Sequence, residues 1–149
     1  MNMLSFYTFV ATLGPIGYLT APGTIATIVT IPVMFWLRML FPSPFTYGSI
    51  VLVFLIASLW VVHKARRYFK RQEDPPEVVI DEVVGCLITF WAIPLSTPSV
   101  IVGLLLFRFF DISKIGGAHY AERLNGSWGI VLDDVVAAVV SNIILHLIF

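Results

Sequence analysis

Residues 78–85, Val78-Val79-Ile80-Asp81-Glu82-Val83-Val84-Gly85, place two adjacent carboxylates at the mouth of a run that is otherwise apolar through Pro94. An ionised group beside hydrocarbon costs roughly 2.5–3.5 kcal/mol at a helix centre on insertion scales, so such a pair needs a physical reason. The chain repeats the arrangement at Asp111, after the apolar run 100–107, and at Asp133-Asp134, early in the apolar run 128–149. Three acidic positions at the ends of three apolar segments point to one shared polar site.

Composition places that site in a membrane. The chain has 149 residues, a single domain (1–149) by length, with 58% hydrophobic and only 12% charged residues and a mean hydropathy of +0.93. A soluble domain carries about 25% charged residues. Five of the nine Lys/Arg (Lys64, Arg66, Arg67, Lys70, Arg71) fall within eight residues, followed by Glu73, Asp74 and Glu77. Outside that patch there is no basic surface for nucleic acid. The lone Cys86 forms no intrachain disulfide, and no Lys or Arg precedes Arg38, so the basic start of a signal peptide is missing.

The expected fold is all-α: a polytopic membrane bundle of about five helices with an N-terminal re-entrant or interfacial segment. Residues 3–13 are apolar but too short to cross a bilayer, and Gly14, Pro15, Gly17, Pro22 and Gly23 break any helix before residue 25. Helical segments are expected at 25–41, 48–62, 79–93, 99–110 and 128–149, with Arg38 snorkelling at the end of the first and a polar stretch over 111–127. Several fall short of about 20 residues, so flanks or a thinned bilayer must help; a buried soluble hairpin is the bland reading of 79–93 and 99–110. The basic stretch 63–71 belongs on the cytoplasmic side. Counting turns from it brings 20–27, 63–82 and 108–134, with all nine acidic residues, to that side, and leaves the uncharged turns 42–47 and 94–98 opposite.

Clustered carboxylates suit a hard cation such as Mg²⁺, which prefers oxygen ligands and shares them with substrate phosphates. Asp81, Glu82, Asp111, Asp133 and Asp134 are candidate metal ligands or general bases for water. His63, His119 and His146 lack ligand spacing, and one cysteine cannot make the usual zinc sets. Gly85, one turn from Asp81, could admit a neighbouring helix or a phosphate. Arg108, three residues before Asp111, could clamp a phosphate with Lys114 as a second cation, or could merely pair with Asp111. Asp133-Asp134 could reflect the dipole at a helix start, although Gly126, Ser127 and Gly129 set that start earlier. The cluster Lys64 to Arg71 reads as a face for lipid head groups. Covalent phosphatase signatures are missing: Ala92, not Arg, stands six residues after Cys86; no Asp-x-Asp occurs; Gln72 follows Lys64-x6-Arg71 where a proline would be needed. Metal-assisted attack by water is what this leaves.

Four stretches, Ala21-Pro22-Gly23-Thr24, Asp81-Glu82-Val83-Val84-Gly85, Phe107-Arg108-Phe109-Phe110-Asp111-Ile112-Ser113-Lys114 and Gly129-Ile130-Val131-Leu132-Asp133-Asp134-Val135-Val136-Ala137, resemble the motifs of the phosphatidylglycerophosphatase A family, in family order. The resemblance implies Mg²⁺-dependent hydrolysis of phosphatidylglycerol phosphate to phosphatidylglycerol and phosphate, by a multi-pass enzyme of the bacterial inner membrane whose site faces the cytoplasm. The partners it implies are the phospholipid substrate and the membrane. It assigns catalytic roles to Asp81, Glu82, Asp111 and Asp134, phosphate binding to Thr24, Arg108 and Lys114, and metal ligation to Asp81, Glu82, Asp111, Asp133 and Asp134. The sequence departs from the family at Ala26-Thr27, at Ile115-Gly116-Gly117-Ala118 and at Ser127, which are expected to alter loops that shape head-group fit. Two other readings stand beside it: a phosphatase for a different lipid phosphate, and a non-enzymatic ion or proton carrier using the same carboxylates. A phosphatidyltransferase would need Asp-Gly-x2-Ala-Arg, which does not occur.

Overall fold

A computed structural model describes residues 3–71, 75–122 and 124–149; Glu73 and Asp74 of the acidic set lie outside them. The described residues form seven α-helices and no strand: α1 (Met3–Ala11), α2 (Pro22–Leu40), α3 (Pro44–Ala65), α4 (Ile80–Thr89), α5 (Thr97–Ser113), α6 (Ala118–Glu122) and α7 (Ser127–Ile148). Each of the five expected segments contains a helix, and α1 and the short α6 are added to them. The protein is an all-α membrane bundle. Three helical stretches are long and apolar enough to cross a bilayer: Pro22–Leu40, Pro44–Tyr68 and Ser127–Ile148. Large apolar side chains such as Trp36, Met39, Phe45, Val53 and Leu147 face outward along them, as a lipid-contacting surface requires.

Prolines start these helices where the missing N–H is harmless. Pro22, Pro44 and Pro98 all occupy the first two positions of their helices, where no intrahelical acceptor exists for the N–H. Ser96 adds a capping box to α5 with Ser99. Pro32 lies inside α2 without ending it, a placement that membrane helices tolerate.

The organising helix is α4, which packs against α2, α3, α5 and α7. The structure corrects the expectation of a long segment over 79–93. The helix has ten residues and stops at Thr89, roughly 15 Å, half of a crossing. Residues 90–96 continue as irregular chain through Ala92, which is in the left-handed region at φ 59°. Their carbonyls are met by protein, as backbone at membrane depth demands. Tyr47 Oη donates to Leu87 O (3.1 Å), Asn142 Nδ2 to Thr89 O (3.0 Å) and Trp91 O (2.8 Å), and the Arg38 guanidinium to Phe90 O (3.3 Å) and Ile93 O (3.2 Å). Arg38 therefore turns inward, over the Tyr47 ring, instead of snorkelling outward.

Close packing explains two glycines. A Cβ on Gly85 would stand 2.5 Å from Phe107 Cζ, and one on Gly103 would collide with the Phe90 ring. Gly85 thus admits an aromatic ring, not a phosphate. The N-terminal segment is the nine-residue α1, too short to span. It lies along the end of α3, with Tyr7 edge-on to Trp60 at 5.0 Å and Ala11 in one cluster with Val62, Ala65 and Val78. Residues 12–21 turn back through Leu13 and Gly14, both at positive φ, and Ala11 O accepts from Val79 N at 2.9 Å. The chain is thereby returned to the start of α4, where the acidic residues gather.

Candidate functional site

Asp81 and Glu82 occupy the first turn of α4, where unpaired N–H groups and the helix dipole favour anions. Asp134 reaches the same place from α7. Since α7 starts at Ser127, Asp133 ends its second turn and Asp134 begins the third, beyond the reach of a helix-start effect. One carboxylate oxygen from each of Asp81, Glu82 and Asp134 lies within 4.8 Å of the others. Glu82 Oε2 and Asp134 Oδ2 are buried without a hydrogen-bond partner. A buried polar atom left so costs about 1–3 kcal/mol, more when charged. The donor set is all oxygen, anionic and unsatisfied, and it fits a hard divalent cation such as Mg²⁺.

A second layer ties the other two carboxylates to cations. Arg108 donates to Asp111 Oδ2 at 2.5 Å and stands 3.8 Å from Glu82 Oε1. The ion pair weighed from the Arg108–Asp111 spacing does form, yet Arg108 Nε stays buried and unpartnered. Lys114 Nζ contacts Asp111 Oδ1 at 3.2 Å and also Asp133 Oδ2. Burial works against the charge on Lys114, but Asp133 and Asp111 outweigh it and hold its pKa above the ordinary lysine range. The residue sits in the left-handed region (φ 54°) as the C-cap of α5, a conformation costing a non-glycine roughly 1 kcal/mol. Five carboxyl groups face only two cations here.

Every candidate residue lines one cavity of about 380 Å³: Thr24, Asp81, Glu82, Arg108, Asp111, Lys114, Asp133 and Asp134. Asp81, Glu82 and Asp134 form its inner cluster; Asp111 and Asp133 are held aside by Lys114 and Arg108. The start of α2 closes one wall. Ala21, at φ 55°, turns the chain into that helix, and the N–H groups of its first turn have no intrahelical acceptor. Gly23 presses so close that an added Cβ would collide with Glu82 Oε1 and lie 3.1 Å from Arg108 Nη1.

Sequence reasoning missed Gly23 as a contact of Glu82, and the Pro75-Pro76 turn as cavity wall. The signal for Gly23 was its place in Pro-Gly-Thr, where a glycine at a helix start has no capping purpose. None of Lys64, Arg66, Arg67, Lys70 and Arg71 lines the cavity. Four of them are exposed, whereas Arg66 turns inward, so that a Cβ on Gly126 would lie 3.2 Å from its guanidinium carbon. Ala26 and Thr27 are buried inside α2, with Thr27 Oγ1 donating to Gly23 O at 2.7 Å. They are packing positions, not the loop expected from the motif, and neither lines the cavity.

Comparison with known proteins gives concordant matches. The family model described as phosphatidylglycerophosphatase A matches residues 9–149. The chain is 35% identical over 133 residues to a putative phosphatidylinositol-3-phosphatase of Bacteroides thetaiotaomicron, covering 84% of this chain and 81% of that one. It is 31% identical over 129 residues to phosphatidylglycerophosphatase A of Escherichia coli, covering 85% and 73%. It is 42% identical over 77 residues to the Haemophilus influenzae protein of the same name, covering 50% and 47%. No solved structure matches.

Proposed function

The chain belongs to the phosphatidylglycerophosphatase A family, and on that premise we propose that it is a Mg²⁺-dependent hydrolase. Its substrate is the terminal phosphate monoester of phosphatidylglycerol phosphate, its place the bacterial inner membrane, and its acidic cavity faces the cytoplasm. The observation that carries the reading is the trio Asp81, Glu82 and Asp134, whose oxygens converge within 4.8 Å with two of them unpartnered. These three residues would hold the ion; when bound, it supplies positive charge to phosphoryl oxygens and acidifies water.

The chain's own groups do the rest. The terminal phosphate enters against the first turn of α2, where the N–H groups of Gly23 and Thr24 and the Thr24 hydroxyl hold it. Arg108 and Lys114 offset the charge that builds on the phosphoryl oxygens as the transition state develops. Asp81 or Glu82 takes the proton from the attacking water. The water oxygen bonds to phosphorus, the ester P–O bond breaks, and the glycerol oxygen leaves and is protonated. Asp111 and Asp133 hold Arg108 and Lys114 in place.

The Bacteroides relative's name supports a second reading, an inositol lipid phosphate as substrate. The carrier alternative loses support from the far half of the bundle, where Arg38 and Asn142 are committed to backbone carbonyls. The test is phosphate release by purified protein from phosphatidylglycerol phosphate and from phosphatidylinositol 3-phosphate, with and without Mg²⁺, beside Asp81→Asn. Release from the former that needs both metal and Asp81 is expected. Release only from the latter would move the substrate, and release unaffected by Asp81→Asn would remove the trio from catalysis.

A further inference from the structure

A diacyl lipid whose head group enters the acidic cavity must leave its hydrocarbon somewhere. A shallow, open depression of about 700 Å³ lies along the outer face of α5, bordered by Val102, Leu105, Leu106, Phe109 and Ile112 of that helix. Arg108 and Ile112 line both this groove and the acidic cavity, so the two adjoin at those side chains. Positions 102, 105, 109 and 112 recur at helical spacing and form one stripe. From Val102 to Ile112 that stripe is roughly 15 Å long, half of a hydrocarbon core of about 30 Å. Its length is that of one leaflet, with the polar end at Arg108. Leu105 and Ile112 are 66% and 70% exposed, open to the bilayer.

We propose that this groove seats one acyl chain of a diacylglycerol-based lipid phosphate drawn from the leaflet on the acidic side. The inference rests on the lipid-phosphatase reading and adds to it the path of the substrate. Arg108 stands at the seam, its Nη1 toward Asp111 and Glu82 and its buried Nε unpartnered, where hydrocarbon gives way to phosphate. Lipid tails are as apolar as leucine, so the groove gains no hydrophobic free energy over the bilayer. Its contribution is orientation, fixing the depth at which the head group meets the carboxylates.

Two measurements test it. In the first, phosphatidylglycerol phosphate with a photoactivatable group midway along one chain is crosslinked to wild-type protein in nanodiscs, and labelled peptides are mapped. Label on residues 102–112, displaced by unlabelled phosphatidylglycerol phosphate but not by phosphatidylcholine, is the expected result. Label spread evenly over the outward helix faces, or centred on the other apolar cavity at Phe45, Leu52 and Trp91, overturns the proposal. In the second, Leu105→Trp fills the groove, and Val53→Trp places the same bulk on the outward face of α3. Leu105→Trp is expected to lower kcat/KM for the diacyl substrate on the order of tenfold, leaving hydrolysis of its deacylated head group unchanged. Val53→Trp should change neither. Equal rates on the diacyl substrate for both variants and wild type overturn the groove. Specific labelling of 102–112 without any phosphate release would keep the groove and remove the phosphatase reading.

Discussion

Gly23→Ala isolates the geometry of the site from the stability of the fold. Gly23 is buried in the first turn of α2 at a φ that any residue adopts, so the backbone accepts alanine. The side chain does not fit. The new carbon would collide with Glu82 Oε1 and stand 2.9 Å from Glu82 Cδ. Carbon atoms pack at about 3.5–4.0 Å, so the carboxyl carbon must retreat by about 0.6–1.1 Å. Because the colliding group is the end of a flexible side chain, the carboxylate swings and the helix stays. A displacement near 1 Å at a reacting centre costs about 10²-fold in rate. Phosphate release in nanodiscs, with a thermal melt on the same sample, reads both quantities. The expected outcome is a loss of that size with a melting temperature within a few degrees of wild type. Glu82→Asp, one methylene shorter, should relieve the collision, so the double variant should be less impaired than the product of the two single losses. Near-normal turnover in Gly23→Ala, or a double variant at or below the product, would refute the packing of Gly23 on a working Glu82.

Other outcomes follow from the same contacts. Asp81→Asn, Glu82→Gln and Asp134→Asn should each lower turnover by about 10²–10⁴-fold while the protein stays folded, as read by phosphate release and circular dichroism. Near-normal rates in all three would end the metal-site proposal. Mg²⁺ at a hundredfold excess over its Kd should stabilise wild type by about 2.7 kcal/mol, and Asp134→Asn should lose that shift in a chelator-controlled melt. Lys114 has a raised pKa in the fold, so the stability from its pairing is fully present below the unfolded value near 10.4 and is lost only as pH rises through the higher folded value. Lys114→Met should therefore melt below wild type throughout pH 7 to 9, and an unchanged melting temperature in that range would contradict the pairing. Arg38→Leu leaves two carbonyls at the end of α4 without their donor, at about 1–3 kcal/mol each; an unchanged melting temperature would show that they have other partners.

The sequence made the acidic pole readable because each carboxylate stands at the end of an apolar run, and turn counting alone brings those ends together. It could not show how the carboxylates divide. Asp111 and Asp133 resemble Asp81 and Asp134 in sequence, and only the reach of Arg108 and Lys114 across the cavity separates the paired from the unpaired. The length of α4 was illegible for a related reason. Residues 83–93 are apolar but for Thr89, and periodicity does not reveal that a buried run stops being helical there. The stop depends on partners far along the chain, Arg38 from α2 and Asn142 from α7. Each is a polar residue in a mostly apolar helix, and such a residue needs a partner that its own segment does not supply. Gly85 stayed between two readings because a missing side chain looks the same whether it makes room for a ligand or for the Phe107 ring of a neighbouring helix.

The two ends of α4 are complementary. Its N-terminus carries Asp81 and Glu82, and just past its C-terminus the chain meets the Arg38 guanidinium at Phe90 O and Ile93 O. Anions at the start and a cation at the end both match the helix dipole, each by about 0.3–1 kcal/mol at exposed sites and up to about 2 kcal/mol where partly buried. That contribution is too small to hold three buried carboxylates together. Two charges 4 Å apart repel by about 4 kcal/mol at an effective dielectric of 20, and Asp81, Glu82 and Asp134 make three such pairs within 4.8 Å. The dipole can orient the cluster but cannot neutralise it, and the two nearby cations lie closest to Asp111 and Asp133, with Arg108 only 3.8 Å from Glu82. What the fold leaves at the head of α4 is a place for positive charge that arrives from outside the chain, open on one side to the phosphate it would help to hold.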